Sequence, residues 1–271
     1  LESLGQLAAG VAHEINTPIQ YVGDNLRFLS DTFTEVKDLL LECRRLLDAA
    51  REGEVPRELA VRLRERLEEA DIDYLAEEIP QAVDQTLEGV ERVAKIVRSM
   101  KEFSHPGTGE LTPTDVNKAI LSTVTVSRNE WKYVAELETD LAEDLPQVHC
   151  IPGEFNQVLL NLIVNAAQAI EGLAGRDSED RGTIVISTHR CDDEVEIRVR
   201  DSGTGIPVEA RSKIFDPFFT TKEVGRGTGQ GLAIAHAAIT KKHGGSIRFE
   251  TELGKGTTFI VRLPIERPPE A

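Results

Sequence analysis

From Ala8 to Leu47 apolar residues return at alternating spacings of four and three: Ala8, Ala12, Ile15, Ile19, Val22, Leu26, Leu29, Phe33, Val36, Leu40, Cys43 and Leu47. Such a pattern lays an apolar stripe along one side of a helix and commits the segment to packing on another helix. A second series, Ile79, Val83, Thr86, Val90, Val93, Val97 and Met100, repeats the spacing and stops near His105-Pro106-Gly107. Together the two series predict a helical hairpin over residues 1–106. Two stripes on one hairpin bury best when two chains associate, so a homodimeric four-helix bundle is expected. The first stripe runs on to Leu47, and a further helical stretch, Arg57 to Ala70, follows Gly53-Glu-Val-Pro56. The hairpin is therefore read as extended, with residues 31–73 either continuing the bundle, the favoured reading, or forming a partner-binding or signalling insert.

Past a linker at 107–113 the period changes from heptads to alternation. Ile184, Ile186 and Thr188, then Val195, Ile197 and Val199, then Ile247 and Phe249, and finally Phe259, Val261 and Leu263 read as strands with one face buried. Helices are expected near Val116 to Ser127, Glu154 to Ile170 and Leu232 to His243. Helices over one face of a mixed sheet make a two-layer α/β sandwich over residues 114–266. Gly172 to Gly182, rich in charge and glycine, reads as a surface loop, and 267–271 as a tail.

Chemistry concentrates in three places. Asp201-Ser-Gly-Thr-Gly-Ile206 and Gly225-Arg-Gly-Thr-Gly-Gln-Gly231 combine an acidic group with two glycine-rich runs, whose backbone N–H groups can cradle an anion ahead of a helix. Asn161 and Asn165 fall four apart within a helical apolar pattern and so share one face. Asparagine forms helices poorly and is costly to bury alone, so the pair points to a polar task such as holding hydrated Mg²⁺ beside phosphate. His13 stands next to Ala12 of the stripe but points away from it, where an imidazole is exposed and largely neutral at pH 7, with one ring nitrogen able to act as a nucleophile. Glu14 can hydrogen-bond that ring or take its proton, Thr17 lies one turn further on the same face, and Pro18 is expected to kink the helix.

These strings resemble the motifs of sensor histidine kinases. His13-Glu-Ile-Asn-Thr-Pro18 is similar to their H box. Asn161-Leu-Ile-Val-Asn165-Ala, Asp201-Ser-Gly-Thr-Gly205, Phe215-Asp-Pro-Phe-Phe219-Thr-Thr-Lys222, Gly227-Thr-Gly-Gln-Gly231-Leu and Gly254-Lys-Gly-Thr-Thr-Phe259 are similar to their N, G1, F, G2 and G3 boxes, in the same order. The resemblance implies a dimerisation and phosphoacceptor hairpin followed by the ATP-binding fold shared with DNA gyrase, a heat-shock chaperone and mismatch-repair ATPases. It implies His13 as phosphoacceptor, Glu14 as acid/base and Thr17 as the residue that positions water for dephosphorylation of a regulator. Asp201 would read the adenine amino group, Asn165 would bind Mg²⁺, and Asn161 would assist at the phosphates. Gly203, Gly205, Ile206, Phe215, Thr221, Lys222, Gly225, Gly227, Thr228, Gly229, Gly231, Leu232 and Thr258 would complete the nucleotide site, with Lys222 and the loop before Gly231 as its lid. The implied partner is the receiver domain of a separate response regulator. Two other classes stay open: an ATP-driven conformational machine, disfavoured because a glutamate base is expected where Asn161 stands, and a catalytically silent dimeric scaffold.

The 271 residues suffice for two domains, and a formal charge of −16 argues against nucleic-acid binding, since a phosphate backbone would be repelled. No apolar run is long enough to span a membrane, and no signal peptide is visible. Cys43, Cys150 and Cys191 are scattered and odd in number, which reads as reducing surroundings with neither disulfide nor metal framework, and the resemblance implies a bacterial cytoplasmic setting. Because residue 8 is already in heptad register, a sensor region is expected upstream, with membrane anchoring of the whole protein left open.

Overall fold

The computed structural model describes residues 2–103, 110–174, 181–220 and 229–266. It divides into two compact units, His13–Lys95 and Leu1–Ala12 with Ile96–Ala271. The division near Lys95 falls earlier than the expected linker at 107–113.

The helical unit is crossed by α1 (Glu2–Glu52), followed by α2 (Arg57–Glu69) and α3 (Ile72–Phe103). Pro18 does not interrupt α1. The chain's own hairpin packs along a line displaced from the predicted stripe: Glu14, Pro18, Thr32 and Leu39 of α1 and Leu75 and Ala82 of α3 are buried. Ile19, Leu26, Phe33, Leu40 and Leu47 are instead 51%, 53%, 70%, 64% and 64% exposed. Ile15, Val22, Leu29, Val36 and Cys43 lie between, half-buried. The seven-residue repeat thus separates into one column shared by the hairpin and one that the single chain leaves uncovered. Gly89 lets the helices approach closely, because a Cβ there would lie 2.6 Å from Val22 Cγ2. Asn25 Nδ2 donates across the hairpin to Ala82 O at 3.3 Å and Gln85 Oε1 at 3.2 Å. At the tip, α2 buries Leu63, and Arg66 pairs with Glu42 of α1 at 2.9 Å.

The second unit is the predicted sandwich. A five-stranded sheet of order β2-β4-β5-β7-β6 comprises Ala135–Leu141 (β2), Gly182–Cys191 (β4), Glu194–Asp201 (β5), Ser246–Glu252 (β6) and Gly256–Pro264 (β7). Only β2 and β4 pair in parallel; the remaining neighbours are antiparallel. Two short strands, β1 (Thr112–Thr114) and β3 (Val148–Cys150), form a separate antiparallel pair. Ile184, Ile186, Val195, Ile197, Val199, Phe259, Val261 and Leu263 form one core with Phe155, Leu159, Leu162 and Ile163 of helix α6 (Pro152–Ala174) and Ile120 of α4 (Val116–Val126). Asp115 caps α4 by accepting from Lys118 N at 3.1 Å. The short helix α5 (Arg128–Trp131) leads into β2.

The helix expected over Leu232–His243 has two parts, an α-helical start (α7, Gly231–Ala237) and a π-helical segment, Ala238–Lys242. His243 closes that segment. Its Nε2 accepts from Ile151 N at 2.9 Å, so Nδ1 carries the proton and donates to Ala238 O at 2.8 Å. Burial holds this ring below the usual histidine range.

Candidate active site

Asp201 ends β5, a strand with neighbours on both sides, and its side chain is almost fully buried. Its Oδ1 accepts from Gly203 N at 2.8 Å and Thr257 N at 3.2 Å. Burial pushes the carboxyl up to about 6, against the two backbone donors, which pull it down. Both donors reach one oxygen. Gly256 makes this close packing possible: at φ +113°, a Cβ there would lie 1.9 Å from Asp201 O. The turn that follows is laced to the β6–β7 turn, Ile206 N donating to Thr251 Oγ1 at 2.8 Å and Gly254 N to Thr204 O at 2.8 Å. Thr251 Oγ1 also lies 3.0 Å from Thr257 Oγ1.

The same turn rests on α6. Thr204 N donates to Ala169 O at 3.1 Å, and Gly203 packs so tightly that a Cβ would come within 2.5 Å of the Ala169 backbone. Ala169 is one turn beyond Asn165, so the Asp201 turn and the half-buried Asn165 belong to one neighbourhood. Asn161, one turn earlier, accepts from Gln157 Nε2 at 2.9 Å and donates to Gly231 O at 2.9 Å, tying α6 to the start of α7. Leu232 and Ile206 pack against the core. Phe215 does so too, its ring 4.8 Å from that of His236 and 6.1 Å from that of Phe249. Phe218 N donates to Gly229 O at 2.9 Å. Thr221, Lys222, Gly225, Gly227 and Thr228 lie outside the described residues.

Thr258 is not brought to Asp201. It pairs with Arg200 and Glu250, whereas Val199, on the Asp201 side, pairs with Phe259. Side chains alternate along a strand, so Thr258 belongs to the sheet face away from α6, and its neighbour Thr257 holds the aspartate. That parity was available in the sequence, since Thr257 shares its odd register with Phe259, Val261 and Leu263.

In the helical unit His13 is exposed, as expected of a position off the stripe. Thr17 Oγ1 donates to His13 O at 3.0 Å, which fixes the hydroxyl one turn from the ring's own backbone. Glu14, by contrast, is only 6% exposed, and its Oε2 accepts from Arg92 Nη2 at 2.8 Å. Arg92, on α3, was not among the sequence-derived candidates, because nothing in spacing alone pairs residues 78 positions apart.

The residues present fit an adenine nucleotide. A buried carboxylate with both backbone donors on one oxygen can direct the other at an exocyclic amine. Asn165 offers an amide oxygen, a hard donor suited to an Mg²⁺ that takes its other ligands from phosphate and water. Among the described residues no cluster of three or more His, Cys, Asp or Glu could hold a metal ion by itself.

Residues 151–267 match the family model described as histidine kinase-, DNA gyrase B-, and HSP90-like ATPase. Sensor kinase CckA of Brucella abortus is 32% identical over 97% of this chain and 24% of its own length. Sensor histidine kinase ZraS of Escherichia coli is 31% identical over 98% of this chain and 46% of its own. Sporulation kinase E of Bacillus subtilis is 30% identical over the whole chain and 30% of its own. The chain thus spans less than half the length of each of these curated relatives, while nearly all of it aligns with them. With a histidine kinase-, DNA gyrase B-, and HSP90-like ATPase domain, a buried aspartate turn and an exposed histidine on α1, the chain is similar along nearly its whole length to the sensor histidine kinases of two-component systems.

Proposed function

We propose that this chain phosphorylates itself on His13 from ATP and passes the phosphoryl group to an aspartate on the receiver domain of a separate response regulator. The observation that carries this reading is the pairing of an exposed histidine on α1 with a buried, twofold-anchored Asp201 in the ATPase fold. Bound ATP would supply the γ-phosphoryl group, its bond to the β-phosphate breaking as ADP leaves, and Mg²⁺ would neutralise the charge that develops. Asp201 selects adenine by accepting from its amino group. Asn165 holds the cation, and Asn161 keeps the start of α7 against α6 beside the phosphates. Gly203, Gly205, Ile206, Phe215, Gly229, Gly231 and Leu232 shape the walls. His13 presents a neutral ring nitrogen as nucleophile, and Glu14 takes or holds the ring proton as the new N–P bond forms. The uncovered column from Ile19 to Leu47 favours a homodimer, in which a second copy would bury those side chains. We place this segment in the bacterial cytoplasm, where ATP and the receiver are found; no described helix is long and apolar enough to cross a membrane.

Thr17 is assigned to the reverse task, orienting water for removal of phosphate from the regulator. Its hydroxyl donates to His13 O and keeps lone pairs to accept from water. The test follows labelled phosphate from this chain to a panel of receiver domains. Transfer to a receiver aspartate supports the proposal, and Thr17→Ala should leave transfer intact while slowing loss of label from the receiver about tenfold or more. An unchanged loss rate would remove Thr17 from the mechanism, and label that reaches no receiver aspartate would remove the phosphorelay.

A further inference from the structure

Glu14 is adjacent to His13, yet its side chain is 8% exposed and is bonded across the hairpin, Oε2 accepting from Arg92 Nη2 at 2.8 Å. Arg92 is 40% exposed, so the pair lies at the rim of the α1–α3 contact, with the guanidinium on the outer side. A carboxylate this deep has given up most of its water. It tolerates that only with a hydrogen-bonded cation, and removal of one partner leaves the other to reorganise. The proposed acid/base group is therefore held across the hairpin by the facing helix.

We infer that Arg92 is a positioning residue for autophosphorylation, fixing the direction of the Glu14 carboxylate beside the His13 ring. The inference rests on the proposed roles of His13 and Glu14. Arg92 acts through its contact with Glu14. A consequence is that the register between α1 and α3 sets where the carboxylate stands, since the two ends of the pair are 78 residues apart on different helices.

The experiment measures single-turnover autophosphorylation of the full 271-residue chain with Mg²⁺ and ATP over a range of ATP concentrations. The proteins are wild type, Arg92→Gln, Arg92→Lys, Glu14→Gln and the Glu14→Gln/Arg92→Gln double variant. Arg92→Gln should slow the step about tenfold, the size of coupling between side chains in direct contact. The half-saturating ATP concentration should not move, and Arg92→Lys should recover most of the rate. In the Glu14→Gln background the same change should cost less than about twofold, because the interaction is already gone. Equal losses in both backgrounds, a raised ATP requirement, or a rate that stays the same or increases would overturn the inference. Wild type that takes no label would defeat the reading on which it rests; a labelled, Glu14-dependent wild type indifferent to Arg92 defeats the inference alone.

Discussion

At the scale of the residue, Asp201 combines deep burial with two backbone donors on one oxygen. Its carboxyl is raised from 3.8 to about 6, so the folded apo protein holds that proton more tightly than the unfolded chain does. The contribution of this group to stability is therefore present below pH 4 and is lost as pH rises through 6. Because both backbone donors meet Oδ1, an amide oxygen can replace it. Asp201→Asn should accordingly raise apo stability at pH 8, by up to roughly 3 kcal/mol, with the difference shrinking toward pH 4. Nucleotide affinity should fall in the same variant, and in wild type alone it should weaken as pH drops through 6. Denaturant unfolding and calorimetric titration at several pH values check both parts; an Asn variant less stable than wild type at pH 8 would contradict the assigned anchoring. Asp201, Asn161, Asn165 and His13 stood out in the sequence as candidates because each is a polar residue placed against its local pattern. Thr257 and Arg92 were not singled out, since their roles depend on strand register and helix pairing, which bring distant segments together.

Among the elements, the heptad series and the four core strands could be read because their periods are physical consequences of one buried face. β2 was missed for the complementary reason: it is an edge strand reading Ala-Glu-Leu-Glu-Thr-Asp-Leu, with three acidic residues in seven and only Ala135 fully buried. The π-helical turn after α7 was equally invisible, as it follows from where His243 must reach Ile151 N. The uncovered column of α1 carries its own prediction. Phe33 is 70% exposed in the chain, so Phe33→Asp should spare hairpin folding while opposing a second copy with a desolvated charge. Sedimentation should then show monomers where wild type is dimeric; a dimer unaffected by the substitution would place the interface elsewhere. His243 supplies a test of the catalytic unit. A histidine held below its ordinary value favours folding above pH 6.5 and withdraws that support as pH falls, because the unfolded chain binds the proton first. His243→Gln should lower the thermal midpoint at pH 8, where a buried N–H of Ile151 loses its fitted acceptor, and should flatten the decline between pH 6.5 and 5. A variant with the wild-type slope would remove His243 from the acid response.

For the molecule as a whole, division of labour follows from the change in hydrophobic period. A unit of long helices can present an exposed acceptor on a solvent-facing position but has no cleft to bury an adenine. A sheet covered by helices on one face offers instead the buried carboxylate of Asp201 at the end of β5. In the proposed reading, each unit would supply one half of a phosphoryl transfer. The measurement that bears most directly on this account is incubation of the chain with γ-labelled ATP and Mg²⁺, wild type beside His13→Gln, followed by acid and alkali treatment of any label. The account predicts label on wild type that is lost in acid and kept in alkali, and none on His13→Gln, with ATP still bound by both; label that persists in the variant, or an unlabelled wild type that binds ATP, would contradict it.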